Sequence, residues 1–450
     1  MNNKIIIVVK LLLLKMFLAS SSTGQELISK EDLTYLQGLT ESVIESSRIY
    51  PNQELVEPFG KNNTGGTLIR PGGLATYPAF WIRDYAMSLE TGMVKVAEQQ
   101  HMLLLTAKTQ NDQTWITKGG SYVPYGAIAD HIRVDDLNPI YFPGTYDNVE
   151  QGVEEFGRMP PYCDQFYFVG MAHYYWKTVK NINFLKQKIN GLSLIDRLEI
   201  AFKVPPTRQN SELVYTTDLY RGKDFGFRDA IRITGDLSYA SILKYRAALQ
   251  LAELFDQFQN KEKAQSYRLI ASKIKHVFAS TFINSDGMVK ASTLKSAQAD
   301  VWGTALAIVE NLIDADVAKR AAQHLAEAYS AGNLAYKGAI RHIIVGEDFN
   351  NNTAWEDAIV PKDEYQNGSY WYSPTGWVIY AIQLVDPSLA SQLVKDYIAG
   401  LKETDYRKGE QFAGPLECFH PSGYNRGPVY MTSVSSPYIV LKTLTKKPKP

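Results

Sequence analysis

Apolar side chains recur along most of this chain at the three- and four-residue spacing of a helix face, in paired segments separated by short polar breaks. Over 27–50, Leu33, Leu36, Leu39, Val43 and Ile44 fall on one stripe, and Ser29 and Asp32 are spaced as a capping pair. Residues 238–255 and 261–282 read as one helical hairpin, 301–312 with 317–329 as a second, and 376–384 with 389–401 as a third. Further periodic segments run over 79–105, 165–179, 184–202 and 431–444. The sum is roughly a dozen helices with no sustained alternation of strands between them, so the fold class is all-α. No motif returns at a fixed period, which argues against a helical solenoid.

The first 24 residues read as a secretory signal: Lys4, an apolar run from Ile5 to Ala19, then a small-residue stretch before Gln25. That run is shorter than a spanning helix needs and contains Lys10 and Lys15, so export is favoured over stable membrane insertion. The expected product is a secreted or periplasmic protein in which residues 25–450 form a single domain. Lys plus Arg equals Asp plus Glu at 47 each; removing Lys4, Lys10 and Lys15 leaves 44 against 47, a net of −3. Such a chain lacks the basic footprint of a nucleic-acid binder. Cys163 and Cys418 are its two cysteines, expected as separately buried thiols rather than a bridge, and no Cys/His spacing suggests a metal.

Long aromatic connections rich in Gly and Pro span 115–161, 213–236, 346–374 and 406–428, and loops of that length tend to be functional. Three segments, Phe80-Trp-Ile-Arg-Asp-Tyr-Ala-Met87, Met159-Pro-Pro-Tyr-Cys-Asp-Gln-Phe-Tyr-Phe168 and Gly409 to Gly423, combine carboxylates with aromatics. Sugar sites need that mixture, because rings stack on pyranose faces while carboxylates bind hydroxyls and move protons.

Trp81-Ile-Arg-Asp84 resembles the Trp-x-Arg-Asp motif of the six-hairpin glycosidases, the superfamily of glucoamylases, trehalases, processing α-glucosidases and exo-acting α-mannosidases. The resemblance implies an (α/α)6 barrel with its long aromatic loops at one face, acting on an oligosaccharide or glycan without metal or organic cofactor. It implies that Trp81, Arg83 and Asp84 hold the sugar in the cleaved subsite. Glu417-Cys-Phe-His-Pro-Ser-Gly423 is similar to the Glu-x-x-x-Pro-x-Thr-Gly pattern of processing α-glucosidases, with Ser422 where Thr is usual, and Glu410-Gln-Phe412 resembles a segment of glucoamylases. Glu417 is the preferred general base on the longer match, and Glu410 the alternative. Asp164, following Pro160-Pro161 at a helix start, fits the general acid, with Glu356 in reserve. An acid there must overcome a helix dipole that favours its ionised form. Tyr162, Trp355, Trp371, Tyr372, Phe419 and His420 complete the expected substrate contacts. Asp229 and Asp300 precede helices and receive no catalytic role; Asp300 reads as a helix cap.

The function implied is an exo-acting, inverting glycoside hydrolase. A polysaccharide lyase or sugar epimerase on the same barrel, and a non-catalytic glycan-binding protein, are the alternatives. A Gly-Lys-Ser/Thr phosphate loop, a Gly-x-Gly-x-x-Gly after a strand and a Gly-x-Ser-x-Gly elbow are all missing, which disfavours nucleotide enzymes and serine hydrolases.

Overall fold

Two kinds of helix alternate along the chain, and their burial decides where each one sits. The structure, a computed structural model, describes residues 26–74, 76–219, 221 and 227–446; the segment read as an export signal lies outside them. Helices α1 (Lys30–Ser46), α3 (Val96–Lys108), α5 (Leu194–Phe202), α7 (Lys261–Phe282), α9 (Ala315–Ser330) and α11 (Pro387–Thr404) bury one stripe each. Helices α2 (Ile82–Ser88), α4 (Tyr162–Val179), α6 (Ser238–Gln257), α8 (Val301–Val309), α10 (Thr375–Gln383) and α12 (Thr432–Lys446) are buried over most of their circumference. The contrast is written in their residues. The sequence of α8, Val-Trp-Gly-Thr-Ala-Leu-Ala-Ile-Val, has no polar face at all, whereas α9 buries Ala318, Ala321, Ala322, Leu325 and Ala326 and exposes the charged residues between them.

The even-numbered helices pack side by side in chain order, and α12 returns to α2, so the six close a ring. The odd-numbered helices lie outside it: α3 and α5 against α4, α7 against α6, α9 and α11 against α10, and α1 against α12. This is an (α/α)6 toroid. At the closure Ser88 Oγ lies 2.7 Å from Ser435 Oγ, tying the first inner helix to the last. Between α10 and α12 the backbones approach so closely that a Cβ on Gly376 would stand 2.8 Å from the Pro437 Cα. Pro437 lies inside α12 and has no N–H for the Ser433 carbonyl. The hydroxyl of Tyr397, fully buried on α11, donates to that carbonyl at 2.9 Å.

The connections are more structured than the sequence suggests. Three antiparallel strands, β1 (Ala79–Trp81), β2 (His131–Arg133) and β3 (Pro139–Ile140), form one sheet. Five more, β4 (Ala335–Tyr336), β5 (Ala339–Ile340), β6 (Tyr370–Trp371), β7 (Cys418–Phe419) and β8 (Asn425–Arg426), form another. Strands of two or three residues are too short to show an alternating pattern. Segment 79–105 is therefore β1, α2 and α3 in succession rather than one helical stretch. Segment 184–202 contains a hairpin turning at Asn190-Gly191, both at positive φ, before Ser193 caps α5. Ser29 caps α1 as its spacing predicts, its Oγ accepting from the Asp32 N–H at 3.0 Å. Cys163 and Cys418 are both buried and free.

Candidate active site

Strand β1 runs into α2 without a linker, so Trp81, Arg83 and Asp84 stand at the inner ring's N-terminal rim. A cavity of about 200 Å³ opens above them, lined also by Tyr77, Asp229, Tyr365, Glu417, Arg426 and Tyr430. The Trp81 ring stacks on His131 at 4.0 Å, and His131 Nδ1 lies 2.8 Å from Asp130 Oδ2, so the indole is braced from behind. Arg83 is buried and shared: its Nη1 is 3.6 Å from Asp229 Oδ1 and its Nε 3.9 Å from Asp84 Oδ2. Asp84 accepts a 2.5 Å hydrogen bond from the Tyr430 hydroxyl. Burial pushes its carboxyl above the ordinary range, although Arg83 and the Tyr430 bond pull the other way.

Three carboxylates face the cavity from different loops: Asp229, Glu417 and the exposed Glu155. Asp229 precedes α6, and its Oδ2 accepts from the Tyr365 hydroxyl at 3.1 Å. The Tyr365 backbone is in turn held by Trp371, whose indole N–H donates to the Tyr365 carbonyl at 3.2 Å. Glu417 immediately precedes β7; its carboxyl accepts a short hydrogen bond from Tyr77 and lies 3.6 Å from Arg426 Nε. Burial raises its pKa to about 7, against the opposing pull of Arg426 and Tyr77. Gly427, just past the end of β8, has φ +63°, and a Cβ there would meet the Glu417 Cβ at 2.4 Å. The backbone is thus bare where Glu417 passes.

The remaining candidates fall elsewhere. Asp164 is the third residue of α4 and lies wholly buried beneath the rim. Neither of its oxygens accepts a hydrogen bond among the described residues, so it does not cap the helix. Desolvation, with Asp130 adding repulsion, holds its pKa well above the usual range. Asp164 is not among the residues that line the cavity. Glu410 is exposed and lines no part of the cavity; Glu356 is exposed too, and accepts the Ser296 N–H at 2.7 Å. Tyr162, Trp355 and Trp371 are core side chains, with the Trp355 indole donating to the Gln366 carbonyl at 3.1 Å. Tyr372, Phe419 and His420 line a different pocket. Asp300 caps α8, as expected, and pairs with Arg228 at 3.0 Å.

Asp229, read from the sequence as having no catalytic role, lines the cavity, and Tyr77, Tyr365, Arg426 and Tyr430 reach it without having stood out in the sequence. The one signal was the repetition of an Arg-Asp pair, Arg83-Asp84 and Arg228-Asp229, each close before or within an inner helix start.

No family model matches the sequence, and no curated protein matches it. Solved structures do match in fold. A rhamnosidase from Klebsiella oxytoca with rhamnose bound aligns with a TM-score of 0.55 at 10% identity over 92% of this chain, which spans 64% of that protein. A glycosidase aligns at 0.52 and 11% identity, covering 92% of this chain and 98% of its own. A substituted glycosidase in complex with glucose aligns at 0.52 and 10% identity over the same shares. These likenesses agree with the toroid.

Proposed function

We propose that this chain is an exported, exo-acting glycoside hydrolase that inverts the anomeric centre, with Glu417 as general base and Asp229 as general acid. The observation that carries the reading is the meeting of Asp229 and Glu417 in one aromatic-walled cavity over Arg83 and Asp84. A protonated Asp229 would donate to the leaving glycosidic oxygen while ionised Glu417 takes a proton from water attacking the opposite face of the ring. Inversion of this kind needs carboxyls roughly 6.5–9.5 Å apart, with room for that water. Separate anchoring supports it: Tyr365 and Arg83 hold one carboxylate, Tyr77 and Arg426 the other. A base whose pKa sits at about 7 takes a proton more readily than an ordinary glutamate and is matched to a neutral operating pH. At about 200 Å³ the cavity is smaller than the roughly 300–1,000 Å³ of drug-sized sites, which suits one terminal sugar rather than a run of them. Export rests on the apolar first 24 residues.

The test is a panel of aryl α- and β-glycosides, beginning with rhamnosides and glucosides because the structural neighbours hold those sugars. Product stereochemistry is followed by NMR. Hydrolysis of one anomer with first release of the opposite one is the expected result; a retained anomer, or no turnover of any glycoside, refutes the mechanism.

One observation favours a second reading. Arg426 lies 4.4 Å over the Tyr365 ring with its Nε 3.3 Å from the Tyr77 hydroxyl, and a tyrosine base beside an arginine is what a uronate lyase needs. Burial and neighbouring carboxylates push both phenols well up, which makes them poor proton acceptors and leaves hydrolysis the better account. A lyase would release an unsaturated sugar with a new ultraviolet band.

A further inference from the structure

The hairpin that carries Glu417 has a second wet face. Glu417 and Arg426 line the candidate active site, while their neighbours Leu416, Phe419 and Asn425 line a separate pocket of about 300 Å³ on the other side of the same strands. Its walls are aromatic. Tyr336 stands 6.0 Å from Phe419, ring centre to ring centre, and Tyr372 stands 5.2 Å from it, with Tyr424 completing the cluster. Tyr336, Phe419 and Tyr424 are only half-buried, so ring surface remains open to a ligand. Around the rim stand hydrogen-bonding groups: the exposed amide of Asn425, the Thr404 hydroxyl, His420 and the Lys337 ammonium. Among the described residues no carboxylate lines this pocket, so it lacks the pair of carboxyls that hydrolysis of a glycosidic bond needs.

We infer that this pocket is a non-catalytic binding site for a further sugar unit of the glycan on which the active site works. Half-open rings offer the flat apolar surface that a pyranose face covers, and the neutral and cationic donors at the rim suit its hydroxyl oxygens. The two sites share a wall, and Arg426 joins them. Its guanidinium is 3.6 Å from Glu417 on one side, and Asn425, its neighbour in β8, lines the second pocket on the other. Taking a glycan as the ligand rests on the hydrolase reading. The chemistry of the pocket itself, rings and donors without carboxylates, is independent of it.

Affinity electrophoresis separates the two claims. Wild type, Tyr336→Ala, Tyr336→Trp and Glu417→Gln are run in gels containing maltoheptaose-rich dextrin, α-mannan or rhamnose-containing pectin, with circular dichroism to check folding. Aryl-glycoside turnover is scored separately. The expected result is retardation of wild type by at least one polymer, about tenfold weaker for Tyr336→Ala, preserved in Tyr336→Trp and in Glu417→Gln, with aryl-glycoside turnover of Tyr336→Ala unchanged. Equal retardation of wild type and a folded Tyr336→Ala, or no retardation of wild type in any gel, overturns the second site. Retardation that depends on Tyr336 in a protein that turns over no glycoside sinks the hydrolase reading while leaving the binding site standing.

Discussion

Glu417 carries a pH signature in the neutral range. In the proposed role of base it works only when ionised, so kcat/KM should rise with pH along a limb centred near 7, the value burial gives it. Arg426→Gln removes the cation that favours the ionised form, and the limb should move to higher pH, with the activity loss larger at pH 6 than at pH 8; a pH–rate profile of both proteins checks this. Glu417→Gln and Asp229→Asn should each lower kcat by roughly 10²–10⁴. Gly427→Ala is a subtler probe. Its Cβ would stand 2.4 Å from that of Glu417 on backbone at φ +63°, and a shift of about 1 Å in a catalytic group is worth up to ~10²-fold in rate, so kcat should fall without comparable loss of KM. At this scale the sequence is legible only where chemistry is contiguous. Trp81, Arg83 and Asp84 share one short motif and reach the cavity together with Glu417. Asp229 and Asp164 look alike as single aspartates near helix starts, and what separates them is depth: one, though largely buried, lines the cavity, while the other is wholly buried and does not. Burial of that kind is a tertiary property, and no local pattern encodes it.

Among the elements, the inner helices show how a ring tolerates residues that would spoil an isolated helix. Pro437 deprives α12 of one internal hydrogen bond, and Tyr397 of α11 repairs the loss from outside. Tyr397→Phe should therefore leave the Ser433 carbonyl buried without a donor and destabilise the protein by about 1–3 kcal/mol, read by denaturant unfolding. Helices were readable because a period of 3.6 persists over ten or more residues. The strands that frame the site were not, since two residues cannot establish a period of two. The loops at 346–374 and 406–428 consequently looked structureless, although β6, β7 and β8 pair within them and fix the register of Glu417 against Arg426.

For the whole molecule, buried acids tie stability to pH. Glu417 has an ordinary pKa of 4.5 and a folded one of about 7, so the folded state holds the proton more tightly. Below about pH 4.5 both states are protonated and burial of this group carries no ionisation penalty. As pH rises toward 7 the unfolded chain ionises first, and stability falls, reaching a deficit of about 3 kcal/mol above the folded value. Asp84 and Asp164 are shifted in the same direction. The protein should thus melt at a higher temperature at pH 5 than at pH 8, and Glu417→Gln should recover part of the difference at pH 8 and little at pH 4, measured by calorimetry. Closure of the ring has a temporal consequence as well. Arg83 and Asp84 are synthesised long before Glu417, Tyr430 and the helix that seals the circle. A polypeptide clipped ahead of Glu417 would keep Arg83 and Asp84 without their partners across the cavity, and under the proposed function it should be inert.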